Sequence, residues 1–224
     1  MLLTVALTVV KCGGALLAKE RFAITRYVEP GSAACVVHGA GARISHALEE
    51  AGLVSSFIGG RRVTSDEAMP IVREAFKREN QELCRQIGGR AVGLMGDDLG
   101  LEAEPLPGYG NVGMLLPVVP PALWGLLAND ALPVIAPLAR GPLNVNADDA
   151  AAVLAVALLA DRLVFVSDVP GVIVEGKVVP TLSAHDIASL GRELTGGIVP
   201  KLQAALVAAR EGIRVDVGLT SVVA

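Results

Sequence analysis

Four short stretches of this chain carry residue types at spacings that suit the handling of an anion. Lys11-Cys12-Gly13-Gly14 sets a point charge beside two adjacent glycines, whose backbone can approach a ligand closely and present N–H groups. His38-Gly39-Ala40-Gly41 repeats the small-residue turn without the lysine, and Gly196-Gly197 with Lys201 four residues on is again an anion site in form. Asn144, Asn146 and Asp148 lie on alternate positions just ahead of an alanine-rich run. Their side chains therefore gather at a helix N-terminus, where free N–H groups and a partial positive charge favour anions. Asn and Asp are also ordinary helix caps. Arg62, in Gly60-Arg61-Arg62-Val63-Thr64, either clamps a carboxylate through two parallel bonds or is an exposed solubilising charge. Glycine turns, lysines, an aspartate and asparagines, with no candidate nucleophile, match phosphoryl transfer, in which the protein positions reactants and neutralises charge on the moving group. An acceptor carboxylate with pKa near 4.3 is ionised at neutral pH and needs no general base.

Each stretch sits between elements that would hold it. Residues 5–10 are apolar and β-branched and read as a strand that turns at Gly13-Gly14 into a helix from Ala15. Residues 33–37 read as a second strand and 42–51 as the helix that follows its turn. Ser65 is an N-cap candidate for a helix over 66–87, with Pro70 tolerated only in the first turns. A strand over 91–95 leaves through a turn at 96–98, and the Gly- and Pro-bearing stretch 101–115 is expected to form a β-hairpin covering a site. A helix over 121–129, a central strand over 132–137, a helix over 147–160 and a buried strand over 162–166 follow. Glu175-Gly176 joins two short strands in a tight hairpin, and helices over 183–190 and up to about 211 precede strands over 215–218 and 221–223. Strands alternating with helices predict an α/β fold on a mainly parallel sheet, with ligands at the carboxyl ends of the strands.

Composition narrows the function. The chain has 224 residues, 52% of them hydrophobic but only 3% aromatic, which is the palette of packed helices on parallel strands. A net charge of -4 without a Lys/Arg run argues against nucleic acid as a partner. The apolar opening is about half the length of a spanning helix and lacks a basic flank, so neither a membrane anchor nor a signal is expected. Cys12, Cys35 and Cys84 have no CxxC or Cys/His spacing, which fits a reducing cytoplasm. The histidines are too scattered for a metal site, and His46 and His185 are assigned to the surface. Neither a Walker loop nor a GxGxxG fingerprint occurs.

Taken in order, KCGG at 11–14, VHGAG at 37–41, GRRVT at 60–64, AVGLMGDD at 91–98, PVIAP at 133–137, NVNADDAA at 144–151, SDVPGV at 167–172 and LTGGIVPK at 194–201 resemble the motif set of the amino acid kinase family, in particular its branch acting on N-acetyl-L-glutamate. The resemblance implies a three-layer αβα sandwich around a mainly parallel open sheet. It also implies an amino-terminal half, 1–155, that binds N-acetyl-L-glutamate and forms a homodimer, and a carboxyl-terminal half, 156–224, that binds ATP with Mg²⁺ carried on the nucleotide. Lys11 and Lys201 match the two lysines that straddle the transferring phosphoryl group, and Asp148 the aspartate that holds them. Gly13, Gly14, Gly39, Ala40 and Gly41 match turns whose N–H groups face its oxygens. Arg62 and Asn144, with Asn146 beside them, fall where the family grips the acceptor's α-carboxylate; Ser167 and Asp168 resemble the nucleotide-side loop. Ala40 stands where the family usually has glycine, and a positive φ there would cost about 1–2 kcal/mol. In this family a helical extension before the first strand accompanies arginine inhibition and hexamers; none is read ahead of the strand here, so an arginine-insensitive homodimer is expected. The rival expectations are a carrier-protein-linked aminoadipate kinase, which calls for a larger basic patch than Arg61-Arg62, and a non-catalytic sensor, which has no need of Lys11, Asp148 and Lys201 together.

Overall fold

The computed structural model describes residues 5–13, 26–28, 31–167, 169–190 and 197–224. Strand β1, Leu7–Cys12, is buried along its whole length, and β2, Ala33–His38, nearly so. Unbroken apolar runs of this kind suit strands covered on both faces. They lie side by side in an eight-stranded sheet with β5 (Ala91–Met95), β8 (Leu132–Ala136), β11 (Arg162–Phe165), β14 (Thr181–Leu182), β15 (Arg214–Val217) and β16 (Thr220–Val222), in the order β14-β16-β15-β11-β1-β2-β8-β5. Every pair is parallel except β15 with β16. In register, Lys11 stands beside Val37 on one side and Phe165 on the other. The chain therefore leaves β1 at Gly13, β2 at Gly39 and β11 at Val166-Ser167 along one carboxyl edge.

Alternate side chains of β1 feed different layers. Leu7 and Val9 join a core with α4 (Pro121–Ala128), α5 (Ala147–Ala157) and α7 (Ile198–Arg210), whereas Val10 and Cys12 pack with Leu83 of α2, Ala68–Ile87. Helix α1, Gly41–Glu50, completes that second layer by packing Ile44 and Leu48 on α2. Helices on both faces of a mostly parallel sheet make the αβα sandwich that the sequence implied.

A smaller four-stranded sheet stands beside the carboxyl edge: β6 (Ala103–Pro105), β7 (Val112–Leu115), β10 (Leu143–Val145) and β9 (Leu138–Ala139). Its β6 and β7 are antiparallel, so the expected hairpin within 101–115 forms. Two more hairpins are present, β3 (Phe57–Ile58) with β4 (Arg61–Arg62), and β12 (Ile173–Val174) with β13 (Lys177–Val178). Glu175 and Gly176 both have positive φ, 48° and 76°, as the tight turn between β12 and β13 demands.

Several boundaries differ from the sequence reading. The first strand begins two residues later than expected, at Leu7, and runs through Lys11 to Cys12, because pairing with β2 continues to His38. The helix expected from 66 starts at Ala68, whose N–H donates to Ser65 Oγ at 3.2 Å. The turn at 96–98 is a short helix, α3 (Gly96–Leu99). The helix expected over 147–160 stops at Ala157, and Leu159 turns left-handed (φ 53°) to redirect the chain toward β11. The strand over 132–137 is second from the sheet edge rather than central. The helix expected from Ala15, with Gly14, lies outside the described residues. Helix α6, Ala184–Leu190, begins where Ser183 and Asp186 hydrogen-bond reciprocally. No described helix is long and apolar enough to cross a membrane.

Candidate active site

Lys11 at the end of β1, Asp148 in the first turn of α5 and Lys201 in the first turn of α7 converge. Asp148 Oδ1 lies 2.8 Å from Lys11 Nζ and 3.5 Å from Lys201 Nζ, with all three side chains largely buried. Burial pushes the Asp148 pKa up, but the two ammonium groups pull harder, and the net shift is below the ordinary 3.8. One carboxylate therefore faces two cations. Lys201 Nζ also stands 5.6 Å from the centroid of the Phe165 ring, which limits its movement.

The turn after β2 lies alongside. Gly39 N donates to Cys12 O at 3.0 Å, fastening this exit to that of β1. Ala40 has φ -135° and ψ 26°, so its methyl group carries no left-handed strain and packs inside with Ile44, Leu48 and Phe76. The glycine usual at this position is therefore not required for backbone reasons. No side chain caps α1, which leaves its first N–H groups facing outward. Side chains added at Gly13 or Gly41 would meet nothing within 4 Å: the glycines keep space open. The N-terminus of α5 is different. Asn146 Oδ1 accepts from Asp148 N (2.8 Å) and Asp149 N (3.2 Å), and its Nδ2 donates to Gly60 O at 3.2 Å. The N–H groups expected to be free for a ligand at this end are thus capped, whereas α1 and α7 begin without a side-chain cap.

Lys11, the two turns and the residues around Asn144 line a cavity of about 360 Å³. Arg62 enters it from β4 and is 7% exposed, not the solubilising surface charge that the sequence left open. Its guanidinium donates to Ser55 Oγ, to Gly41 O at 3.0 Å and to Ser45 Oγ at 3.0 Å, and lies 4.5 Å from the Phe57 ring centroid. All these partners are neutral, and burial lowers the guanidinium pKa from 12.5. Asn144 Nδ2 donates to Thr64 Oγ1 at 3.2 Å, which in turn donates to Arg62 O at 3.1 Å. Asn144, Thr64 and Arg62 thereby form one hydrogen-bonded wall.

Residues 6–218 match the Amino acid kinase family. The chain belongs to the amino acid kinase family. An acetylglutamate kinase from Chloroflexus aurantiacus is 43% identical over 79% of this chain and 76% of its own length. Another, from Pseudothermotoga lettingae, is 35% identical over 92% of this chain and 81% of its own length. Among solved structures, smu.665 from Streptococcus mutans superposes with a TM-score of 0.85 at 26% identity, covering 97% of this chain and 98% of the other.

In this amino acid kinase the loop expected on the nucleotide side leaves β11 at Ser167, whose Oγ accepts from Val169 N at 3.4 Å; Asp168 lies outside the described residues. Among the described residues, no group of three or more His, Cys, Asp or Glu is arranged around a metal site. Motif reading missed three partnerships. Arg61 pairs with Asp149 at 2.7 Å beside the lysine–aspartate cluster; burial raises the Asp149 pKa against the opposing pull of Arg61. Ser45 and Ser55 hold Arg62, and Asn80 of α2 reaches the imidazole of His38. Each joins residues from separate elements, so no local pattern signals it.

Proposed function

We propose that the chain transfers the γ-phosphoryl group of ATP to the side-chain carboxylate of N-acetyl-L-glutamate, giving N-acetyl-glutamyl phosphate and ADP. The observation that carries this reading is Arg62: a buried guanidinium held, among the described residues, by neutral groups, in a cavity where Asp148 is already engaged by two lysines. An α-carboxylate supplies the missing charge for Arg62, with Asn144 alongside. Among the described residues an α-ammonium would find no carboxylate on those walls but Asp148, which favours an acylated amino acid over free glutamate. Asn146 contributes by capping α5, so its part in gripping the acceptor is to position Asp148.

The attacking carboxylate oxygen forms a bond to the γ-phosphorus as the bridging β–γ P–O bond breaks, and no proton need move. Lys11 on the acceptor side and Lys201 on the nucleotide side offset charge on the equatorial oxygens, while Asp148 keeps the two ammonium groups apart and in place. The donors at Ala40, Gly41 and Gly13, joined by those expected at Gly14, face the same oxygens. Mg²⁺ held by the nucleotide phosphates would neutralise further charge there; the donor set on the protein is cationic, as suits a metal that arrives on its ligand. On this reading residues 1–155 serve the acceptor and 156–224, with Ser167 and Asp168, the nucleotide. The free edge of β5 among the described residues supports a homodimer, which light scattering tests.

An ADP-release assay with ATP and Mg²⁺ decides the acceptor. N-acetylglutamate should support turnover, glutamate and aspartate should not, and Lys11→Ala should abolish the activity. Turnover confined to N-acetyl-aminoadipate, or none with a folded protein that binds ATP, would overturn the assignment.

A further inference from the structure

Phosphoryl transfer as set out above leaves one buried imidazole without a task. His38, 0% exposed, ends β2 immediately before the turn that carries the Ala40 and Gly41 donors. Its Nε2 lies 3.0 Å from Asn80 Nδ2, its Nδ1 lies 3.4 Å from Gly39 O, and its ring meets Phe76 edge-on at 5.9 Å.

The neighbours fix the proton's place. The Asn80 amide faces two backbone carbonyls, Val134 O at 2.8 Å and Leu94 O at 3.5 Å. Only the NH₂ end can satisfy carbonyls, so the group facing His38 is a donor. The imidazole Nε2 must accept, and the ring proton sits on Nδ1, directed at Gly39 O. Gly93 makes the arrangement possible: a Cβ there would lie 2.1 Å from Asn80 Oδ1. In a trans peptide the C=O and N–H point in opposite directions. Holding Gly39 O against the ring therefore aims the next N–H, that of Ala40, away from it. Among the described residues the Ala40 N–H has no partner, while Ala40 O is already taken by Ile44 N at 2.8 Å.

We propose that His38 is a positioning residue, a neutral Nδ1–H imidazole, locked in that tautomer by Asn80, that sets the Gly39–Ala40 peptide so that its N–H faces the transferring phosphoryl group. The inference rests on the phosphoryl-transfer reading. Burial, which lowers the His38 pKa to about 4, keeps the ring neutral at working pH.

Two measurements test it. The chain has three histidines, so in nitrogen-15 NMR of the labelled wild-type protein the His38 signals are identified as those missing from His38→Asn, and they should not titrate between about pH 5.5 and 8. Its shifts should be those of the Nδ1–H form throughout; an Nε2–H or titrating ring would overturn the proposal, whatever the acceptor turns out to be. Kinetically, His38→Asn should retain more activity than His38→Leu, because the amide can still bond to the turn. The leucine variant should lose about 10- to 100-fold in kcat with KM for both substrates within about twofold. A pure packing role predicts the reverse order, since leucine fills this space better, and unchanged kcat in both variants would also sink the idea. Should His38→Leu fail to fold, His38→Asn and Asn80→Ser, each showing a kcat loss without a KM change, carry the same test. Failure of the wild-type protein to use N-acetylglutamate would count against the acceptor assignment alone.

Discussion

Asp148 and His38 are buried titratable side chains, one ionised and the other neutral. Asp148 stays ionised because two lysines outweigh its burial, and His38 stays neutral because burial outweighs the hydrogen bond to Gly39 O. Both depressed pKa values stabilise the fold above the unfolded-state values and cease to do so in acid, but over separate ranges. Unfolded His38 takes up a proton below 6.5, whereas the folded ring resists until about 4. Stability should fall across that interval with a slope of up to about 1.4 kcal/mol per pH unit from this one group. Asp148 acts only below 3.8, where the unfolded carboxylate protonates first. Urea denaturation at stepped pH should show the slope between 6.5 and 4 flattened in His38→Asn and kept in Asp148→Asn. Equal slopes in wild type and His38→Asn would show that another group carries the acid sensitivity. Asp148→Asn should in addition be inactive at every pH, since two adjacent ammonium groups then lack the charge that holds them.

At the scale of elements, the short β3–β4 hairpin does more than its two-residue strands suggest. It delivers Arg62 to the cavity lined by Lys11 and Asn144, pairs Arg61 with Asp149 and receives the Asn146 amide on Gly60 O. Its tip also packs on the start of α7. Gly60 has φ +78°, and a Cβ on it would stand 2.8 Å from Pro200 Cγ, one residue before Lys201. Gly59 has φ +55° with open space around it. Both alanine substitutions should carry left-handed strain of about 1–2 kcal/mol, but only Gly60→Ala should push the hairpin off α7. Gly60→Ala is therefore expected to raise the acceptor KM about tenfold and lower kcat, with Gly59→Ala close to wild type in both. Equal kinetic damage in the two variants would mean that the contact with Pro200 is unimportant. This contact also marks where sequence reading stops. The strand–turn–helix order and the alternation Asn144, Asn146, Asp148 are local, so Lys11, Asp148, Lys201 and the turns could be read from spacing and motif order. Arg61 with Asp149, Arg62 with Ser45 and Ser55, and His38 with Asn80 depend on how separate elements pack. The capping of α5 by Asn146 was legible as chemistry but ambiguous, because the residues that suit a helix cap also suit a ligand.

Across the whole molecule, the proposed division of ligands at residue 155 does not divide the structure. The core that contains Leu7 and Val9 of β1 also contains Leu202 of α7 and Val215, Val217 and Val222 near the C-terminus. Strand β11, beyond the division, pairs residue by residue with β1, before it. Asp148 on one side needs Lys201 on the other to balance its burial. Cutting the chain at 155 would expose one face of β1 and strip α5 of its contacts with α7, losing apolar burial that neither half replaces. Unfolding should therefore be cooperative, with one calorimetric transition whose van't Hoff and calorimetric enthalpies agree, and residues 1–155 expressed alone should not give a cooperative fold. ATP should raise the midpoint of that single transition without splitting it, since a ligand bound across a shared core stabilises the native state as a unit. Two transitions, with only the later one moved by nucleotide, would instead establish independent lobes. The hairpin contact with Pro200 would then be a docking interface between them rather than part of a continuous core.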